Sequence, residues 1–367
     1  FTEMGQLPEW AYNAALASLP LQTPLRLRRL IGLGDAGHVW EMVSNNERPL
    51  DGIPDDVWRA WRSCGQTHLQ AVTEQCITAG VSVVSVHDQG YPDVLLSDTE
   101  APAVLFVRGN SDVLSHRRVG IVGTRNATQR GKYFARELGA ALAGEGVCVV
   151  SGLARGIDVE SHVGALSQPN GCGPVAVVAS GPDVVYPREH QRIWAQVARN
   201  GCLISEAPPG TVPEPFRFPM RNRIIAGLSE VLVVVESQSK GGSMITVREA
   251  MKRDVMVMAV PGSPGVPASE GTNDLLRDGC APVTEVVDVL LALGLHHRNG
   301  SVASLERDAA VDDEREVLRA MGRDSCSVDE VALRASLPVV QAAVLLGRLE
   351  AKGWVANSGG WWETLIV

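Results

Sequence analysis

The chain has 367 residues, a formal net charge of −9, 45% apolar residues and 20% charged ones. That length and balance suit a soluble protein of two or three packed domains, and no apolar stretch approaches the length of a membrane span. The acidic excess repels phosphate, so a nucleic-acid ligand would require a local basic surface built by particular residues.

Residues 1–75 read as a small helical domain. Trp10, Ala14, Leu16 and Leu19 mark one helix, and Leu25–Ile31 a second, closed by Gly32 and Gly34. Val39-Trp40 and Val57-Trp58-Trp61 suggest two more. Short helices joined by Gly-containing turns fit a helix-hairpin-helix type of DNA-backbone binder and a plain packing module equally well.

Residues 76–293 alternate strands and helices. Val81–Val86 and Ala103–Val107 are expected strands, separated by a turn at Tyr91-Pro92. Val119–Val122 is a short apolar run of the kind buried on both faces of a sheet. It breaks at Gly123, a helix begins at Arg130, and Gly146 ends it before the strand Val147–Val150. A second Gly-rich break, Ser151–Gly156, follows. This βαβ unit places a Gly-rich loop at the carboxyl end of each strand, where ligands bind in open parallel sheets. The helix Val159–Leu166, strand Val175–Ala179, helix Arg188–Asn200 and strand Cys202–Ile204 continue the alternation. A proline-rich loop spans Ser205–Pro219, then come a helix at Arg221–Leu228 and a strand at Val231–Val235. Ser243 is expected to cap a helix running to Arg253. A strand at Val255–Val260, a short helix at Leu275–Arg277 and the segment Thr284–Leu293 close the domain. The pattern predicts an α/β fold with a doubly wound, parallel, Rossmann-like sheet.

Residues 294–311 lack periodicity and are expected to be a linker, with His296-His297 inside it. In residues 312–367 three helices precede a hairpin at Gly353-Trp354-Val355 and Trp361-Trp362-Glu363, with Ser327 capping the second helix. That order predicts a winged helix. Its third helix carries only Arg348 as a cation between Gln341 and Leu349, so protein contact or packing is as well supported as groove reading.

Several chemistries are disfavoured. Seven cysteines are scattered without a CxxC pair, as in reduced cytosolic proteins, and the eight histidines form no metal-binding spacing. No basic-then-apolar leader opens the chain, which supports a cytoplasmic location. Neither GxGxxG nor GxxxxGK[ST] occurs, so a dinucleotide or P-loop site is not expected. No catalytic set, metal or cofactor is indicated. Asp158, Asp183 and Glu206 follow strands and fit loop anchors better than acid–base catalysts.

The cations instead gather on loops at one sheet edge. Gly123, Thr124 and Arg125 form the first, where Gly123 would admit a ligand and amides at the next helix start would face an anion. Arg155 lies on the second and Arg188 ends the third. The fourth, Phe216-Arg217-Phe218-Pro219-Met220-Arg221-Asn222-Arg223, holds three arginines in seven residues with no acid. Arginines interleaved with aromatics suit single-stranded nucleic acid, guanidiniums tracking phosphates and rings stacking on bases. Lys240 and Ser243 add a further Gly-rich helix start.

The strings VGIVGTRNAT, VVSGLARGID, DVVYPREH, FPMRNRIIAGLS and GGSMIT…VMAVPGS resemble the DNA-processing protein family, DprA or Smf, over residues 80–293. The resemblance implies an extended Rossmann domain that binds single-stranded DNA, forms a homodimer and hands the strand to the RecA recombinase during natural transformation. It places DNA contacts at Gly123-Thr124-Arg125, at Arg188 and along Phe218–Arg223. Thr124 stands where the family usually has Ser, Ala179-Ser180-Gly181 where it has Gly-Thr-Gly, and Pro215 where some members carry a basic residue. The alternative is a nucleotide-processing enzyme or nucleotide sensor related to the phosphoribohydrolases. Their PGGxGTxxE signature is only approached by Gly271-Thr272-Asn273, which lacks the acid.

Overall fold

Short β-branched runs alternating with helical segments build a nine-stranded sheet in the computed structural model, which describes residues 7–295, 309–322 and 325–365. Five helices come first: α1 (Glu9–Ala17), α2 (Pro24–Ile31), α3 (Ala36–Ser44), α4 (Asp55–Arg62) and α5 (Gln66–Ala79). The sheet begins with β1 (Ser82–Ser85), the one-turn helix α6 (Asp93–Leu96) and β2 (Val104–Gly109). Next come β3 (Arg118–Val122), α7 (Gln129–Gly144), β4 (Cys148–Ser151), α8 (Ile157–Leu166), β5 (Val175–Val177), α9 (Gln191–Asn200) and β6 (Cys202–Ser205). The second half holds α10 (Arg217–Leu228), β7 (Val231–Val234), α11 (Ser243–Met251), β8 (Met256–Ala259), α12 (Pro267–Arg277), β9 (Ala281–Pro282) and α13 (Val286–Ala292).

The strand order is β1-β2-β6-β5-β4-β3-β7-β8-β9. From β3 the chain winds outward through β4, β5 and β6 on one side and through β7, β8 and β9 on the other. All of these strands pair in parallel. Every residue of β4, β6 and β7 is buried, because helices cover both faces. Alternate residues feed opposite cores, Cys148 and Val150 one and Val147 and Val149 the other. The sheet departs from the all-parallel expectation at one edge, where β2 runs antiparallel to both β6 and β1.

That edge explains where the N-terminal helices sit. Val83, Val104 and Phe106 of β1 and β2 share one apolar core with Leu16, Leu30, Trp40 and Trp61 of the bundle. Phe106 and Trp61 are both fully buried there. α5, a helix beyond the four expected from the sequence, supplies Leu69, Val72 and Cys76 to the same core. The bundle thus covers a face of the sheet that would otherwise be exposed.

The C-terminal segment forms α14 (Asp312–Met321), β10 (Cys326–Ser327), α15 (Val328–Arg334), α16 (Val339–Ala351), β11 (Val355–Ser358) and β12 (Trp361–Thr364). Ser327 caps α15 as expected, in a reciprocal capping box with Glu330. Residues 296–308 of the expected linker, His296 and His297 among them, lie outside the described residues.

Some element bounds differ from expectation. α10 starts at Arg217, so the basic run lies mostly on a helix. Ser243 does not cap α11: it is the first helical residue, and its hydroxyl donates to Ser237 Oγ at 2.8 Å. α12 runs back to Pro267, a residue whose fixed φ suits a first helical turn.

Candidate nucleic-acid interface

The loops after β3, β4, β5 and β6 converge, as their place at one sheet edge dictates. Together with the start of α10 they line a groove that includes Arg125, Arg155, Tyr186, Pro213, Phe218 and Arg221. No aspartate or glutamate lines it, although the chain carries nine more acids than bases. Phe218 is the hub. The Arg125 guanidinium stands 5.1 Å from its ring centroid, and the Tyr186 ring 5.5 Å away at 54°. A guanidinium over an aromatic face is held by cation–π attraction, so Phe218 aims Arg125 while leaving it exposed. Tyr186 is 41% exposed and offers the more open ring. Tyr186 lies within the DVVYPREH motif but is not among the site residues expected from the sequence. Its signal was an aromatic in a polar loop, with no core position to occupy.

Arg221 forms the floor and is 6% exposed. Its Nη1 donates to the Gly152 carbonyl at 2.7 Å and to the Val177 carbonyl, tying the ends of β4 and β5 together. A Cβ on Gly152 would lie 2.5 Å from this guanidinium, so that position excludes a side chain. Burial lowers the Arg221 pKa to about 10, opposed by the charge of Asp158. Burial likewise raises that of Asp158, opposed by Arg221 and by the amides of Ala154 and Gly152. His162 is fully buried, and burial pushes its imidazole down to about 3, so it is neutral. Arg221 and Asp158 thus brace the floor, as expected for Asp158. Asp183 does the same nearby, accepting from the Gly210 amide at 2.9 Å.

The expected anion site at the α7 start is already filled. Glu236 follows β7, and its carboxylate accepts from the Thr128 amide at 2.9 Å and hydroxyl at 2.5 Å. The Thr128 hydroxyl in turn caps the Gly131 amide at 3.0 Å. A Cβ on Gly131 would lie 2.3 Å from the Glu236 carboxyl carbon. Gly123 has no room for a side chain, because a Cβ there would meet Ile157 at 2.5 Å and the Glu236 carbonyl at 2.8 Å. Its absent side chain therefore makes room for protein atoms. Thr124 donates its amide to that same carbonyl at 2.7 Å. The chain's own carboxylate thus stands where a Rossmann fold would hold a nucleotide phosphate. Replacing Glu236 with Ala is expected to cost about 1–3 kcal/mol by stranding buried donors. It should also make inorganic phosphate stabilising in a thermal melt, an effect absent from the wild type. A variant that ignores phosphate would show that this helix start is not a latent anion site.

The remaining basic residues distribute unequally. Arg155 pairs with Glu189 at 2.5 Å, both well exposed, so the pair adds little and can exchange for a phosphate. Arg188 is exposed at the end of the third loop, with no ion pair among the described residues. Arg217 bonds Glu214 at 3.1 Å and stacks over Phe216 at 5.1 Å, and Asn222 accepts from Arg221 Nε at 3.2 Å. Arg223 does not reach the groove: it bonds Glu206 and the Glu100 carbonyl, each at 2.5 Å, with its side chain 11% exposed. The expected Arg221–Arg223 pair is therefore split by the helix, one residue under the groove and the other turned toward the α6–β2 connection. Lys240 and Ser243 sit on the β7 side of β3, outside the groove lining. Among the described residues no His, Cys, Asp and Glu side chains gather as a metal site. No single helix there is long and apolar enough to cross a membrane.

The family model for DNA recombination-mediator protein A matches residues 82–294, which contain every strand of this sheet, and a DprA winged-helix model matches residues 302–360. The chain belongs to the DNA recombination-mediator protein A (DprA/Smf) family. Protein Smf of Escherichia coli is 37% identical over 76% of each chain. A DprA protein of Mycobacterium tuberculosis is 31% identical over 97% of this chain and 94% of its own. Among solved structures, DprA of Streptococcus pneumoniae aligns with a TM-score of 0.66 at 30% identity, covering 78% of this chain and 98% of that one. DprA of Helicobacter pylori, a structure described for its single-stranded DNA binding mode, aligns at 0.52 and 28% identity over 59% of this chain and 97% of that one. The DprA fold accounts for the mixed sheet and for the terminal winged helix.

Proposed function

We propose that this DprA-family chain binds single-stranded DNA in the Arg125–Tyr186–Phe218 groove and delivers the strand to the RecA recombinase, in natural transformation or another recombination process. One observation carries the binding reading: in an acidic protein, three arginines and two rings converge in a groove lined by no acid. The exposed cations suit phosphates, Tyr186 suits a base, and neither needs a particular sequence. A duplex keeps its bases stacked inside and offers Tyr186 nothing. Transfer to RecA and homodimer formation rest on the family's mediator character, and sedimentation at micromolar concentration addresses the dimer.

The nucleotide-enzyme alternative is weakened by Glu236, which fills the phosphate position, and by the braced state of Asp158 and Glu206. A gel-shift comparison of an unstructured oligonucleotide, its duplex and free nucleotides tests the proposal. Preferential retardation of the single strand is expected. Equal binding of the duplex, or tight binding of a mononucleotide with no strand binding, would contradict it.

A further inference from the structure

A cleft of about 390 Å³ adjoins the groove and shares Val178, Ala179 and Arg221 with it. One wall is the loop between α1 and α2, and the other is the end of β6 with α10. The loop is firmly braced. Trp61 Nε1 donates to the Pro20 carbonyl at 2.9 Å, Gln22 Nε2 to Leu16 at 2.9 Å, and Arg26 Nη1 to Leu21 at 2.5 Å. Leu21 is held at φ +56°, where side chains cost energy, yet it lines the cleft 59% exposed. No burial offsets that strain, and strain of this kind gathers at ligand sites. Phe216 on the opposite wall is 55% exposed, with the Arg217 guanidinium over its ring.

The acid in the cleft wall, Glu206, carries an unmet hydrogen-bonding demand beneath the surface. Glu206 Oε2 accepts from Arg223, whereas its Oε1 is shielded from solvent and has no partner. Such an acceptor calls for an N–H donor. A phosphate would meet a carboxylate here, and a purely apolar group would leave the oxygen unpaired. A nucleobase meets both conditions, with apolar faces and amino or imino donors on its edge.

We infer that this cleft is a second subsite for the strand, receiving one nucleobase between Leu21 and Phe216 with its edge toward Glu206. The inference rests on the single-strand reading above and extends the footprint onto the N-terminal helices. An abasic residue scanned along an unstructured oligonucleotide, with affinity measured at each position, tests it. In the wild type two separate positions should each cost about five-fold or more in affinity. Tyr186→Ala should abolish one of these costs. Leu21→Glu and Leu21→Gly should abolish the other, and the glycine, which relieves the strained φ, should melt no lower than wild type. If the wild type binds but the Leu21 variants reproduce its abasic profile, the cleft is not a base site and the groove reading stands. If the wild type binds no single strand, both fail together.

Discussion

Replacing Arg221 with Ala is expected to lower folding stability by about 3–5 kcal/mol, the usual cost of removing one member of a buried charge pair. Asp158 is 7% exposed and would lose the cation that offsets its burial. The carbonyls of Gly152 and Val177 would lose their shared donor, loosening the carboxyl ends of β4 and β5. Lysine should not fully rescue the loss, because an ammonium is more strongly hydrated than a guanidinium and costs more to bury at this site. Urea unfolding of wild type, Arg221→Ala and Arg221→Lys measures this. An Arg221→Ala protein as stable as wild type yet unable to bind DNA would make Arg221 a direct ligand contact instead of a brace.

The second large effect is expected at the rings and cation of the groove. Tyr186→Ala should weaken single-strand binding by about 1–3 kcal/mol, the range for removing a stacking platform. Tyr186 is 41% exposed on a loop, so its loss should leave the melting temperature nearly unchanged. Arg125→Ala should weaken binding to all sequences alike, as loss of a phosphate contact does. The two differ in their response to salt, because only the cation releases counterions.

Much of this architecture was legible in the sequence. β-branched runs bounded by glycine located the strands from β3 to β8, and their loops necessarily met at one edge. The antiparallel edge was not legible, because local pattern carries no strand direction. The bundle's role was hidden for a related reason: Phe106 packs on Trp61 and its neighbours from a strand distant in sequence. At the site, Arg125, Arg155 and Phe218 were recognisable from charge and aromatic content on adjoining loops. Arg223 was misplaced because the whole run Arg217–Arg223 is one continuous helix, which turns Arg221 and Arg223 to different sides. The packing role of Gly123 was not legible because its neighbours Ile157 and Glu236 lie far along the chain. Glu236 gave no signal of its own, being a lone acid after a strand.

The central claim is that Arg125 and its ring neighbours form a phosphate-tracking groove for single-stranded DNA. The most direct measurement is a salt titration of wild type, Arg125→Ala and Tyr186→Ala on one unstructured oligonucleotide. Arg125→Ala should flatten the log–log slope by about 0.7 for the lost phosphate contact, while Tyr186→Ala weakens affinity and leaves the slope in place. An unchanged slope for a folded Arg125→Ala protein would contradict the account.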